Sequence, residues 1–122
     1  MQFEVSHSSV DERMPLIYMW EIRDSKGVLV GRYVGKSKGG ASRPRKQYVR
    51  NVKNILAGKP YRKSKPDAYR KIHRALAEAH INGYSIVLSF LCNAELAKIN
   101  EAEQEWIRTH KCHGEERWQL NG

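Results

Sequence analysis

The segment Leu16–Gly35 constrains the fold more than any other part of the chain. Two runs rich in β-branched and aromatic residues flank a polar stretch that ends in glycine, a pattern typical of a β-hairpin. With the loop at Asp24–Gly27, the strands pair so that Tyr18 lies opposite Tyr33. Directly opposed residues have Cβ atoms about 4.5–5.5 Å apart. The pattern therefore predicts two neighbouring phenols on one face of a sheet, as an ordinary strand pair or as part of a site.

Length and composition indicate one globular domain. The chain has 122 residues, of which 40% are hydrophobic and 29% charged, enough for a single core and too few for two. No apolar run is as long as a membrane span, and the N-terminus lacks the pattern of a signal peptide. The two cysteines, Cys92 and Cys112, form no disulfide framework. We therefore expect a soluble cytoplasmic domain over residues 1–122, in which residues 1–14 are an N-terminal extension of undecided structure.

A strong positive charge points to a polyanionic partner. Lysine and arginine outnumber aspartate and glutamate by 22 to 13, and the excess is concentrated between Arg32 and Arg74. Such a block favours binding to nucleic acid, although a basic, solvated surface without a partner stays open. The candidate nucleic-acid contacts are Lys38, Arg45, Arg50, Arg62, Lys63, Lys65 and Arg70.

Beyond the hairpin, apolar spacing, capping residues and Gly or Pro stops predict three helices and one strand. The predicted elements are a helix from Ser42 or Arg43 to about Ala57, a helix from Asp67 to near Gly83, a strand over Tyr84–Leu91, and a helix from an Asn93 N-cap to about Lys111. The strand is apolar enough to be central in its sheet.

The third predicted helix carries an unusual carboxylate. Leu96, Ile99, Glu103, Trp106 and His110 follow one another at three- and four-residue steps, so they lie on one face of the helix. A carboxylate within an apolar stripe is unfavourable unless it meets a cation, a metal or strong hydrogen-bond donors. A structural salt bridge and a metal ligand both satisfy this condition, and the helix alone does not decide between them.

In their order along the chain, these features resemble the motifs of the GIY-YIG nuclease family. The matching residues are Leu16-Ile17-Tyr18, then Tyr33-Val34-Gly35 with Lys36 directly after it, Arg43 eight residues beyond Gly35 with Pro44 at a helix start, Glu103 followed by Trp106-Ile107, and Leu120-Asn121. Leu16 replaces the first glycine of the family. Tyr48 is the better candidate for the His or Tyr that many members carry one turn after the arginine, because Gln47 occupies the i+4 position.

The resemblance implies a fold and an activity. The implied fold is a small α+β domain in which helices flank a mainly antiparallel three-stranded sheet. The implied activity is that of a divalent-metal-dependent DNA endonuclease, which hydrolyses phosphodiester bonds with one Mg²⁺ or Mn²⁺ ion. Magnesium and manganese are hard ions that suit a carboxylate such as Glu103, together with phosphate oxygens and water.

The resemblance also implies a role for each site residue. The implied catalytic residues are Tyr18, Tyr33, Arg43 and Glu103, and the implied supporting residues are Lys36, Tyr48 and Asn121. Tyr33 would act as general base or water-positioning group, with Tyr18 beside it to hold its hydroxyl. A free phenol ionises only near pH 10, so Tyr33 needs help from Lys36, from the metal or from a proton relay. Arg43 would bind the scissile phosphate through its planar fork, Glu103 would hold the metal, and the terminal Asn would orient a phosphate or a neighbouring strand.

Two other hypotheses stay open at this stage. A nucleic-acid-binding module could keep the fold without the activity. A zinc module could use His110, Cys112 and His113 with the more distant Cys92, although the first three lack the usual spacing of a structural zinc site. For a nuclease of this size, we expect specificity to come from its own basic loops, from a homodimer or from a separate specificity partner. A phage or another mobile element is a natural setting for such an enzyme.

Overall fold

A computed structural model describes residues 1–122. The chain forms a four-stranded sheet with helices on both faces. In chain order the elements are β1 (Glu4–Val5), β2 (Leu16–Arg23), β3 (Leu29–Ser37), α1 (Ser42–Leu56), α2 (Lys71–Asn82), β4 (Ser85–Asn93), a 3₁₀ turn (Leu96–Lys98) and α3 (Ile99–Thr109). No helix combines the length and the apolar character that crossing a lipid bilayer requires.

The sheet is mixed, in the order β1-β4-β2-β3. β2 runs antiparallel to β3 and β4, whereas β1 runs parallel to β4. The predicted α+β class and the central place of β4 are confirmed, but the prediction of three strands is wrong. The missed strand, Glu4–Val5, has two exposed residues, too short a run for period-2 alternation to be recognised.

The hairpin forms, but its predicted register is wrong. Tyr18 lies opposite Gly35, and Trp20 lies opposite Tyr33. Arg23 pairs with Leu29, whereas the predicted loop pairs it with Val28, and a bulge between Ile22 and Arg23 shifts the register by one more residue. Together these differences displace β3 by two residues from its predicted pairing with β2. Because side chains alternate with a period of two, Tyr18 and Tyr33 still lie on the same face of the sheet, diagonally rather than side by side.

The core has two parts, one on each face of the sheet. On one face, α1 and α2 cover the side of β2 that carries Tyr18 and Trp20. On the other face, α3 covers the alternate residues Ile17 and Met19. This double coverage explains why β2 is a nearly continuous apolar run rather than an alternating one.

The helix boundaries agree with prediction at α1 and differ at α2 and α3. α2 begins at Lys71 rather than at Asp67, because the preceding residues close a turn in which the Tyr61 N–H donates to the Pro66 carbonyl. Asn93 ends β4 instead of capping α3, since its side chain holds the Asp11 backbone through both its oxygen and its nitrogen.

The spacing predicted that Leu96 would lie on the buried face of α3, and this prediction is wrong. Leu96 belongs to the 3₁₀ turn before that helix and is 61% exposed. Because the Asn93 side chain is bonded to the Pro15 carbonyl and does not cap a helix, α3 begins only at Ile99. Leu96 is therefore not part of the apolar stripe of α3. Ile99 is buried, and Trp106 and His110 are partly buried with their rings stacked at 5.5 Å.

Candidate active site

A cleft of about 530 Å³ joins parts of the chain that are distant in sequence. Among the residues lining it are Tyr33 and Lys36 from β3, Arg70 from the residue before α2, Glu103 from α3, and Asn121 from the C-terminal segment. A small adjoining cavity of about 20 Å³ shares the Arg70 wall and is also lined by Arg43 and Tyr48. The structure therefore brings six of the seven predicted catalytic and supporting residues to two neighbouring concavities, and Tyr18 is buried behind them.

A different cavity, of about 450 Å³, lies beside Trp118 and is lined mostly by apolar side chains. None of the predicted site residues reaches it. Its walls are mostly apolar, and its three charged side chains, Glu78, Glu116 and Arg117, stand apart from every residue of the predicted site. The polar cleft is therefore the better candidate for chemistry.

Tyr18 and Tyr48 form a buried pair behind the cleft. Their hydroxyl oxygens are 2.5 Å apart, and burial is the main cause that raises the pKa of each phenol above its ordinary value. Both side chains therefore stay neutral at physiological pH. The Tyr18 hydroxyl is bonded to Tyr48 rather than to Tyr33, and the Tyr48 ring lies edge-on to both other tyrosine rings.

The packing of Tyr18 explains the glycine at position 35. A Cβ on Gly35 would lie 2.5 Å from the Tyr18 hydroxyl oxygen and 2.8 Å from a ring carbon. Real Cβ atoms do not approach other heavy atoms so closely, so only glycine leaves room for the ring across the hairpin. The glycine is needed for this close approach, since its φ is not positive.

Tyr33 is the tyrosine that faces the cleft. It is 9% exposed, and its hydroxyl oxygen accepts a hydrogen bond of 3.3 Å from Nη1 of Arg70. The hydroxyl proton of Tyr33 stays available to a water or ligand. Tyr33 can therefore act on a bound molecule, which the buried Tyr18 cannot reach.

Glu103 and Lys36 form the opposite wall. The Glu103 side chain is 16% exposed, and its Oε1 is 3.9 Å from Nζ of Lys36. Burial raises the pKa of Glu103 above its ordinary value, and the charges of Lys36 and Arg70 offset this only in part. The Lys36 ammonium also donates to Oδ1 of Asn100. The salt bridge that the apolar stripe of α3 required is therefore present, and it opens onto the cleft.

Glu103 has the donor chemistry for one hard cation. Mg²⁺ normally keeps several waters and binds one or two carboxylates together with substrate phosphates. A single carboxylate at the edge of an open cleft is compatible with this coordination. No three His, Cys, Asp or Glu side chains are arranged to hold a metal among themselves. The zinc hypothesis for His110, Cys112 and His113 thus lacks a preformed site, and burial raises the pKa of the Cys112 thiol to about 11.

Arg43 reaches the site from the first turn of α1. Pro44, at the next position, is fully buried and holds this turn against the core, where proline is tolerated because the first-turn N–H groups have no helical partner. Arg43 is exposed, forms no salt bridge, and lines the small cavity with Tyr48 and His73. Its guanidinium group is therefore free to bind an anionic ligand.

His73 also belongs to this site, although the spacing of residues in its helix does not predict it. Its Nδ1 accepts the backbone N–H of Arg70 at 3.1 Å, so the single proton of the neutral ring lies on Nε2. Nδ2 of Asn51 is 3.1 Å from Nε2, and turning this amide by 180° would bring Oδ1 there to accept the Nε2 proton. Burial, followed by repulsion from Arg70 and Arg43, lowers the pKa of His73 to about 4. The neutral ring thus joins α1 to the start of α2.

Asn121 clamps the C-terminal segment to β3. Its Oδ1 accepts the Val34 N–H at 2.8 Å, and its Nδ2 donates to the Val34 carbonyl at 2.7 Å. Nearby, Gln119 forms a parallel bridge with Arg32. The Asn121 amide therefore takes the place of a neighbouring strand beside the Tyr33 backbone, which favours a role in positioning β3.

The candidate nucleic-acid contacts fall into three groups. Arg45 is engaged within the fold, because its Nε donates to Glu12 at 2.7 Å and its guanidinium lies over the Phe90 ring. Arg70 lies at the cleft. The remaining candidates are exposed cations, namely Lys38, Arg50, Arg62, Lys63 and Lys65.

Comparison of the chain with models of known protein families, with curated proteins and with solved structures finds no match. The case for a function therefore rests on the residues of the cleft.

Proposed function

We propose that this protein is a divalent-metal-dependent DNA endonuclease of the GIY-YIG type. One observation carries the proposal: a tyrosine hydroxyl, two cations and a partly buried carboxylate line one cleft, although they come from three separate parts of the chain. Phosphodiester hydrolysis requires a group that handles the water proton, cations for the pentacoordinate phosphorus, and an electrophile for the leaving oxygen. Tyr33, Lys36, Arg70 and Glu103 fit this set of requirements.

Tyr33 is the group that we assign to the attacking water. Tyr18 and Tyr48 bond to each other and are raised in pKa by burial, so neither is suited to proton transfer. Tyr33 faces the cleft with its oxygen held by Arg70. It would orient the water and take up its proton while passing its own hydroxyl proton to solvent in the cleft.

Arg43 is the side chain that we assign to the scissile phosphate. Its guanidinium can donate two parallel hydrogen bonds to phosphate oxygens, and no carboxylate competes for it. Lys36, from the wall that carries Glu103, adds a second positive charge at the cleft.

Glu103 would hold one Mg²⁺ or Mn²⁺ ion. The chemistry that such an ion supplies when bound is charge stabilisation on the phosphoryl and leaving oxygens. Burial raises the pKa of Glu103, and the Lys36 and Arg70 charges offset this in part; a bound divalent cation would favour the ionised carboxylate further.

DNA is the partner that the surface charge favours. The net charge is +9, and the loop between α1 and α2, whose Tyr61 lines the small cavity, exposes Arg62, Lys63 and Lys65. Phosphate contacts of this kind give binding that weakens steeply with salt and carries little sequence information. Specificity would then come from DNA shape, from a second copy of the chain or from a separate partner.

A cleavage assay on supercoiled, linear, single-stranded and branched DNA tests the proposal. Wild-type protein should cut at least one of these substrates with Mg²⁺ or Mn²⁺ and none in EDTA. Arg43→Ala should abolish cleavage, whereas Lys53→Ala, an exposed cation on the same helix, should retain it. Undiminished cutting in EDTA, or by the Arg43 variant, would contradict the mechanism, and salt-dependent binding without cutting would favour a silent binding module.

A further inference from the structure

Arg70 and Arg43 are two cations without a salt-bridge partner, since Glu103, which the Arg70 charge also reaches, is paired with Lys36. The carboxylates near the sheet are taken by other cations, with Glu21 on Arg32, Glu12 on Arg45 and Glu103 beside Lys36. Neither Arg43 nor Arg70 forms a salt bridge, yet both line the same small cavity, in which no aspartate or glutamate takes part. Two like charges held around one cavity repel each other unless a ligand of opposite charge lies between them.

Both guanidinium groups belong to residues that line the same small cavity as His73. Burial, followed by repulsion from the Arg70 and Arg43 charges, lowers the pKa of the His73 ring. His73 responds by staying neutral, so it adds no third charge. No carboxylate neutralises the pair from either helix that packs around this ring, where the facing groups are Asn51 and Tyr48 from α1 and Tyr69 from the loop.

Arg70 is held in place before any ligand arrives. Its backbone N–H is fixed by Nδ1 of His73, and its Nη1 donates to the hydroxyl of Tyr33. The buried Pro44 anchors the backbone of the turn that carries Arg43. A cation that is already positioned, as Arg70 is, loses little side-chain freedom on binding. Planar guanidinium forks match the oxygens of phosphate and of carboxylate, and the net charge of +9 favours the phosphate of a polyanion.

We propose that Arg43 and Arg70 together bind one phosphoryl group, without a metal ion, at the cavity beside Tyr33. Arg70 would then contact the ligand and Tyr33 at once, which aligns the phosphorus with the hydroxyl that handles the water. This inference deepens the proposed function and rests on it for the identity of the ligand, a phosphodiester of DNA. A terminal phosphate or free inorganic phosphate presents the same chemistry, and the test separates these sources.

Titration calorimetry in EDTA tests the site without cleavage. The ligands are inorganic phosphate, thymidine 5′-monophosphate and a dinucleotide with a single phosphodiester. Hydrogen bonds to charged groups contribute about 1.5–3 kcal/mol, so Arg70→Gln should weaken binding about tenfold or more. Arg70→Lys should weaken it less, because it keeps the charge and loses the fork. Arg74→Gln is the matched control, since it removes an exposed arginine one turn along the same helix.

Binding by the wild type that falls in Arg70→Gln and not in Arg74→Gln supports the site. Equal binding by wild type and Arg70→Gln, equal loss in both variants, or no binding by the wild type at millimolar ligand would overturn it. Binding of the monophosphates without the dinucleotide would overturn its link to the cleaved bond. If Arg70→Gln melts at a lower temperature, the decision passes to Arg70→Lys. If the wild type binds phosphate but does not cleave DNA, the proposed nuclease activity is refuted and the phosphate site is retained. If the wild type cleaves DNA but the Arg70 variants bind phosphate as well as it does, the phosphate site is refuted and the nuclease activity is retained.

Discussion

Acid should destabilise this protein through one buried histidine, His73. The ring is 6% exposed and accepts the Arg70 backbone N–H at Nδ1, so protonation would both break that bond and bury a charge beside two arginines. The pKa of His73 is lowered from 6.5 to about 4 in the folded protein. Between these values the unfolded chain binds a proton that the folded chain does not.

The size of this effect follows from the interval between the two pKa values. Each pH unit in which only the unfolded state is protonated lowers the free energy of unfolding by about 1.36 kcal/mol on acidification. The interval from 6.5 to about 4 therefore corresponds to about 3 kcal/mol. This contribution is fully present above pH 6.5 and is lost as pH falls through about 4.

Urea unfolding of wild type and His73→Gln at several pH values from 7 to 4 measures it. The wild type should lose stability more steeply than the variant, by about 1 kcal/mol per pH unit within this window. His80→Gln, which replaces an exposed histidine of the same helix, should follow the wild type. If the free energy of unfolding depends on pH in the same way for wild type and His73→Gln, the claim that His73 is buried as a neutral ring is refuted.

Three substitutions in the hairpin test its packing and the division of roles between its tyrosines. Gly35→Ala should lower stability by about 1–3 kcal/mol through collision with the Tyr18 ring, measured by urea unfolding, while Gly39→Ala, which has open space around it, should lower it by less than 1 kcal/mol. Tyr18→Phe should cost about 1–3 kcal/mol by leaving the buried Tyr48 hydroxyl without its partner, yet keep most cleavage activity. Tyr33→Phe should instead cut kcat by about 10²–10⁴-fold with little change in stability, and equal kcat in the two tyrosine variants would contradict the assignment of the proton to Tyr33.

The sequence predicts the elements that depend on local pattern. β2, α1 and the central β4 follow from apolar runs and helix stops. Glu103 could be singled out because a carboxylate in an apolar stripe needs a partner, and the structure supplies Lys36. The face of the sheet shared by Tyr18 and Tyr33 was also predictable, because even the wrong register preserved it.

The remaining features depend on contacts that no local pattern reveals. Asn93 has the residue type of an N-cap, but its amide is used by Asp11, which lies 82 residues away. The bulge opposite Ile22 and Arg23 leaves Val30 without a partner in the register, and the neighbouring Gly31 is compatible with a bulge but does not fix its position. His73 enters the site only because α2 packs on α1. Arg70 was predicted as one of several nucleic-acid contacts, but its place beside Tyr33 depends on the same packing.

The cleavage rate of the Glu103→Ala variant, measured against Mg²⁺ concentration, tests the central claim most directly. Glu101→Ala is the matched control, since Glu101 is exposed on the same helix. We predict that wild type and Glu101→Ala reach saturating rates as Mg²⁺ rises, and that Glu103→Ala cleaves at no concentration while keeping the wild-type circular dichroism spectrum. A Glu103→Ala protein that cleaves with the wild-type dependence on Mg²⁺ would contradict the assignment of the metal to this cleft.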